Sequence, residues 1–229
     1  MSELAVTPRT KLKRLRQRGS FDRDTVNAIL DEGFLCHVGF MHGGKACVIP
    51  TVYARAGDSL ILHGATSNRA LRSLREPGND ACISVTHVDA LILARSAFHH
   101  SVNYRSVILY GQAEEVGDPD EKLESLRALI EHIARGRWKD VRAPSRVELL
   151  QTLVLRVPIA EGSAKIRDLP AIDDEEDLRS GCWAGTVPMA TQYGTPLRDA
   201  QLAPEVALPA YLDGYDRPKR RVAPDGVTR

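Results

Sequence analysis

The sequence predicts an α+β protein, mainly β, in which six antiparallel strands close into a barrel with helices interspersed. Three observations predict it. The apolar segments run in the order helix, three strands, helix, two strands, helices, strand, without the strand-helix-strand alternation of a parallel sheet. The first three strands are joined by turns too short for crossover connections. No GxGxxG, P-loop or GxSxG motif and no repeat of 20 to 50 residues is present, so the doubly wound folds lose their usual signatures. Closure is favoured over an open sheet because it leaves no unpaired edge.

The elements follow in order. Asp22 is placed to cap a helix over residues 23 to 32, with Val26, Ile29 and Leu30 on one face and Gly33 as its C′ residue. Phe34 to Phe40 reads as a strand, His42-Gly43-Gly44-Lys45 as a hairpin turn, and Ala46 to Arg55 as the return strand. Ala56-Gly57-Asp58 turns the chain into Ser59 to His63, completing a meander. Ser67 to Arg75 has helical spacing, with Leu71 and Leu74 inward, and Pro77-Gly78-Asn79 ends it. Two longer strands cover Ala81 to Ala94 and Ser106 to Val116. Asp118-Pro119-Asp120-Glu121 supplies N-cap, N1 proline and capping-box glutamate for a helix carrying Leu123, Leu126, Leu129, Ile130 and Ile133. Ser145 and Glu148 form a second capping box, and Gln151 to Pro158 returns as a strand continuing toward Ile166. The expected organisation is a basic arm (1–20), a barrel domain (21–190) and a C-terminal extension (191–229) that ends in Pro218, Lys219, Arg220 and Arg221.

Composition narrows the function. Of 229 residues, 31 Lys and Arg against 30 Asp and Glu leave a net charge of +1, so a globally basic nucleic-acid binder is excluded. Hydrophobic residues at 43% support a sizeable core, and no run of 18 apolar residues or secretory leader pattern is present, so a cytoplasmic location is expected. Cys36, Cys47, Cys82 and Cys182 form no CxxC pair and read as reduced thiols. Charge is uneven locally: Arg9, Lys11, Lys13, Arg14, Arg16 and Arg18 stand together without an acid. No aromatic interleaves them and no recognition helix is evident, so a solvated extension is favoured over a nucleic-acid contact.

Two segments concentrate polar groups between apolar strands. In Leu62-His63-Gly64-Ala65-Thr66-Ser67-Asn68-Arg69 a strand ends and a helix begins, so free N–H groups, two hydroxyls and an arginine fork converge where a phosphate can bind. Plain capping by Ser67 or Asn68 explains the same residues equally well. The second segment, Arg95 to Ser106, offers Tyr104, Arg105 and Ser106 to a phosphorylated or planar ligand. Its adjacent His99 and His100 point to opposite sides of an extended chain, so no metal site is expected.

These segments carry a resemblance. Cys36-His37-Val38-Gly39-Phe40, Val48 to Tyr53, Leu62 to Arg69, Ala94 to His100, Asn103 to Val107 and Ser163-Ala164-Lys165-Ile166-Arg167 occur in an order that resembles the flavin-nucleotide-binding members of the pyridoxamine 5′-phosphate oxidase-like superfamily, in the group related to nitroimidazole-resistance proteins. The resemblance implies a six-stranded split β-barrel that forms a homodimer, with one FMN in each of two clefts along the subunit interface. It implies that Pro50, Thr51 and Val52 lie beside the isoalloxazine ring through their backbone, and that Ser67 and Arg69 hold the phosphate. Tyr104, Arg105 and Ser106 would approach from a neighbouring strand, with His63 and Asn68 also near the cofactor.

Vitamin B6 oxidation is not carried over, because the Arg-x-His signature of true pyridoxamine-phosphate oxidases has no counterpart: no histidine follows His132. Nitro-drug reduction is not carried over either, since Asn68 stands where relatives often have histidine. The expected activity is electron transfer from a reduced nicotinamide or other donor to a small-molecule acceptor, with Arg105 stabilising the reduced ring. The alternatives are a non-catalytic flavin-binding module with a partner-binding arm, or a barrel holding heme or a deazaflavin.

Overall fold

The computed structural model describes residues 2–218. Lys219, Arg220 and Arg221, which the sequence places at the end of the tail, lie outside the described residues. The chain forms β1 (Gly19–Ser20), α1 (Arg23–Glu32), β2 (Leu35–His42), β3 (Lys45–Val52), β4 (Ala54–Ala56), β5 (Ser59–Ala65), α2 (Arg69–Leu74), β6 (Ala81–Leu93), β7 (Ser101–Gly111), β8 (Glu114–Glu115), α3 (Pro119–Ile133), α4 (Arg146–Gln151), β9 (Thr152–Pro158), β10 (Glu161–Arg167) and β11 (Gly185–Pro188).

All strand pairs are antiparallel, as the sequence predicts. One sheet has the order β1-β10-β7-β6-β2-β3, with β11 also paired to β6, and the second has the order β4-β5-β9-β8. The strands therefore number eleven among the described residues rather than six. Four of the added ones (β1, β4, β8 and β11) have two to four residues, too short to leave a periodic trace.

Pro50 explains why β3 stands at an edge: it has no N–H to give a second neighbour. The chain then crosses from the first sheet to the second at Tyr53, whose N–H donates to the Phe34 carbonyl at 3.0 Å. Between the sheets lies a core that includes Val38, Tyr53, Leu60, Leu62, Ile83, Val107, Leu109 and Leu155, capped by Val26, Ile29 and Leu30 of α1. A smaller cluster of Ala54, Ile61, Val116, Leu129 and Val154 seats α3 on the outside of the second sheet. No helix among the described residues is long and apolar enough to cross a membrane.

The caps of α1, α3 and α4 form as read: Asp22 accepts from Thr25 N–H at 2.9 Å, Asp118 from Asp120 and Glu121, and Ser145 and Glu148 complete their box. Gly33 departs from expectation. Its φ of −82° and ψ of 164° are extended, so no left-handed C′ is used. A Cβ there would lie 2.8 Å from Tyr53 Oη and 3.1 Å from Val85 Cγ1, so close approach is what requires glycine. Tyr53 is fully buried and donates its hydroxyl to Leu30 O at 2.6 Å. Gly33→Ala is expected to cost about 1–3 kcal/mol through overpacking; an unfolding midpoint in urea matching that of the parent would show that Tyr53 moves aside freely.

The arm is packed rather than free at its start. Leu4 is buried, Thr10 is buried, and Arg9 pairs with Asp80 at 2.6 Å and with Glu161 while standing over the Tyr110 ring.

Candidate cofactor site

Strand alternation sorts the candidate residues into two faces. In the first sheet, Cys36, Val38, Ile83, Val85, Val107 and Leu109 are buried and point inward. Pairing then puts His37 with Pro50, Ser84 with Ile108, Thr86 with Ser106 and Val88 with Tyr104 on the outer face. Pro50, Val52, Tyr104 and Ser106 therefore share the outer face, while Thr51, paired with buried Cys36, faces in. Cys36 Sγ–H donates to the Thr51 carbonyl at 3.5 Å, and burial pushes the thiol pKa up to about 12, so this cysteine is an inert core group.

Pro50 to Val52 meet the end of β5 at the corner between the sheets, where β3 and β5 are in contact. His63 is exposed to solvent with no hydrogen-bond partner among the described residues, yet the protein around it holds its pKa below the ordinary histidine value. Thr66, Ser67 and Arg69 follow at the start of α2, all exposed, and neither Ser67 nor Arg69 has a partner among the described residues. Asn68 is different. Its side-chain oxygen accepts from Ala70 N–H at 2.9 Å and Leu71 N–H at 3.2 Å, so it caps α2 and occupies two of the amides that the sequence assigns to an anion. Ser67 and Arg69 remain as the available donors.

Arg105 is a correction. Its neighbours Tyr104 and Ser106 face outward, so its side chain faces inward, away from the shelf at Pro50 and Val52. The guanidinium is almost completely buried and forms a fork to Glu32, with Nη2 to Oε1 at 2.8 Å, and another to Asp89, at 2.9 and 2.7 Å. Burial alone would lower the Arg105 pKa, but the two carboxylates outweigh it and raise it. Asp89 reaches this position through a bulge: Val88 pairs with Tyr104 and Ala90 with Asn103, so Asp89 is the extra residue and turns inward. His87, opposite Arg105 on β6, donates Nε2–H to Ile29 O at 3.0 Å and has Nδ1 4.0 Å from Glu32. Arg105 thus ties α1 to the sheet instead of stabilising a ligand on the outer face.

The histidine pair does not lie on an extended chain as expected: Ala97–His99 is a 3-10 turn, and both rings bond back to Ser96. His99 bonds Ser96 Oγ at 2.8 Å and His100 bonds Ser96 O at 2.9 Å. His99 lies near Asp173 and Asp177, but Asp173 is already held by the Arg95 amide at 2.7 Å and guanidinium at 2.8 Å.

The outer face also exposes Leu35, Met41, Val48, Val88, Leu91, Val102, Ile108 and Val187, with Val48 66% exposed. Contiguous apolar area of this kind on a sheet marks a surface that binds another surface or a flat ligand.

Comparison with known proteins gives the chain a family. Residues 22–166 fit the family model for pyridoxamine 5′-phosphate oxidase. A flavocytochrome of Azotobacter vinelandii is 37% identical, covering 90% of this chain and 96% of its own, with a TM-score of 0.86. An FAD and heme binding protein of Mycobacterium smegmatis is 36% identical over 87% of this chain and 98% of its own, with a TM-score of 0.83. A 5-nitroimidazole antibiotic resistance protein of Bacteroides thetaiotaomicron is 23% identical over 63% of this chain and 84% of its own at a TM-score of 0.54, a likeness of fold alone. No curated protein sequence matches the chain.

Proposed function

Because the chain belongs to the pyridoxamine 5′-phosphate oxidase family, we propose that it is a flavin-dependent oxidoreductase that works as a homodimer. The observation that carries this reading is a backbone shelf at Pro50, Thr51 and Val52 on β3, in contact with β5, whose continuation offers two phosphate donors, Ser67 and Arg69, without a partner among the described residues. When bound, the flavin supplies hydride or single-electron transfer at its ring. The chain orients it: Arg69 offers a bidentate fork and Ser67 a hydroxyl to a phosphate, and the β3 backbone borders the ring. Tyr104 and Ser106 belong to the other end of the outer face, so in a dimer they reach the cofactor held by the partner subunit. The exposed apolar residues of that face supply the contact area for the second copy.

A phosphate at Ser67 and Arg69 is common to FMN and FAD. The sequence reading names FMN; the relative from Mycobacterium smegmatis, whose name includes FAD, favours the longer cofactor. The electron donor on this reading is a reduced nicotinamide or another carrier, and the acceptor a small molecule.

A second reading adds heme. The relatives from Azotobacter vinelandii and Mycobacterium smegmatis described above carry cytochrome or heme in their names. The donor set fits: neither His37 nor His63 has a hydrogen-bond partner among the described residues, and the surrounding protein favours the neutral imidazole of His63, the form that ligates iron.

The test is the colour of the purified protein and the mass of what denaturation releases. The expected result is a flavin absorption spectrum and the mass of FAD or FMN, with a heme band if the second reading holds, and bleaching of the flavin by NADH or NADPH. A colourless protein that binds neither FMN nor FAD on titration would overturn the proposal.

A further inference from the structure

The C-terminal segment ends on an arrangement that neither the family match nor the cofactor reading covers. Met189 N–H donates to the Asp89 carbonyl at 2.8 Å, and from there residues 189 to 218 run across the molecule to Arg217. Arg217 is buried. Its guanidinium donates to Asp31 O at 3.2 Å, Glu32 O at 3.2 Å and Gly33 O at 3.0 Å, at the end of α1, and to His132 O and Ile133 O at the end of α3. It also lies 5.2 Å from the Phe34 ring centroid. Tyr215 donates its hydroxyl to Ile133 O, and Tyr211 accepts from Arg137 at 3.0 Å. Five carbonyls from the negative ends of two helices thus surround one cation that no side-chain carboxylate balances in this set of bonds. Tyr215, Asp216, Arg217 and Pro218 at the far end of this segment border a cavity of about 960 Å³ that is also lined by α1, α3 and Arg105.

We propose that the C-termini of α1 and α3 form a guanidinium-binding cradle, that Arg217 is its tethered ligand, and that the strap 189–218 is a releasable cover over this cavity, let go when His132 becomes charged. The geometry at His132 makes it the trigger. Its Nε2 lies 2.7 Å from Gly33 O, an acceptor only, so Nε2 carries the proton; Arg217 Nη2, also a donor, is 3.2 Å from the same nitrogen. Protonation adds a second cation beside the first. The groups acting on the imidazole are Asp31 of α1, Tyr53 and Arg55 of the β3–β4 segment and Arg217 of the strap, and the charged groups Asp216, Glu131 and Arg135 line the same cavity. Burial, with Arg217 and Arg55 as further contributors, holds the His132 pKa below 6.5 against the opposing effects of the Gly33 carbonyl and Asp31. A histidine depressed in the folded state binds fewer protons than in the released state, so closure is complete above 6.5 and weakens as pH falls below it.

Hydrogen-deuterium exchange of the full protein, read in strap peptides and corrected for intrinsic rates, tests this at pH 7.5 and 5.0. The parent is expected to exchange about tenfold faster in the strap at the lower pH, as one lost charge-assisted contact implies. Arg217→Gln is expected to exchange fast at both, and His132→Gln, which keeps a donor for Gly33 O but cannot titrate, slowly at both. Methylguanidinium chloride, added as a competitor at millimolar concentration, is expected to speed strap exchange in the parent but not in Arg217→Gln. A strap in Arg217→Gln as protected as the parent's at pH 7.5 would overturn the cradle. An acid response retained in His132→Gln would overturn the trigger. Exchange in the β6 and β7 peptides reports whether any variant has unfolded, and Arg217→Lys, which keeps the charge without the fork, separates geometry from charge.

Discussion

Arg105→Met is expected to lower the unfolding free energy by about 3 kcal/mol. The side chain is 8% exposed and closes two forks, to Glu32 on α1 and Asp89 on β6, whose side chains are 17% and 24% exposed. Removing the cation leaves two half-buried carboxylates facing each other, and breaking a buried pair in this way costs about 3–5 kcal/mol. The lower end applies because solvent reaches both acids. Urea unfolding at pH 7 measures the loss. Combining Arg105→Met with Glu32→Gln and Asp89→Asn is expected to recover most of it, because the cost lies in the stranded charges and not in the missing attraction. Flavin affinity is expected to change little, since the side chain faces away from the shelf. A stable Arg105→Met protein that has lost its flavin would restore Arg105 to the cofactor side.

That correction shows what the sequence can and cannot disclose. The fold was legible because turns and caps are local: Gly43-Gly44, Gly57, the Asp118 cap and the Ser145–Glu148 box all act within a few residues. The inward aim of Arg105 was also legible in principle, because alternation along a strand opposes it to Tyr104 and Ser106. Its partners were not. Asp89 reaches it through a bulge that depends on the pairing of two strands, and Glu32 stands 73 residues away on another element. The Arg217 cradle was beyond reach for the same reason: carbonyls carry no sequence signature, and five of them meet only when two helices end at one place. For Asn68 the two readings left open were capping and phosphate binding, and only coordinates show that its oxygen is already spent on Ala70 and Leu71. The thirteen residues of β6 left a strong apolar trace, whereas the two residues of β1 or β8 left none. β7 runs over Ser101–Gly111 where the apolar trace places it over 106–116, because its polar first half carries no such trace.

Arg69→Ala carries the opposite expectation: a large loss of flavin affinity with no loss of stability. Arg69 is exposed and makes no hydrogen bond or ion pair among the described residues, and α2 is capped by Asn68 without it, so truncation removes nothing that the fold uses. Exposed substitutions away from such features fall within about 0.5 kcal/mol. Against a bound phosphate, however, the fork supplies charge-assisted hydrogen bonds of about 1.5–3 kcal/mol, a tenfold to hundredfold change in dissociation constant. Arg69→Lys keeps the charge and loses the bidentate geometry, so it is expected to fall between the two. Titration of the apoprotein with FMN and with FAD, followed by flavin fluorescence, measures all three. If the residue meets a terminal phosphate, FMN suffers more than FAD, whose phosphate carries less charge; if it meets an internal diphosphate, both suffer alike. Equal affinity of Arg69→Ala and parent for both flavins would remove the α2 entrance from the site and, with it, the observation on which the flavin orientation rests.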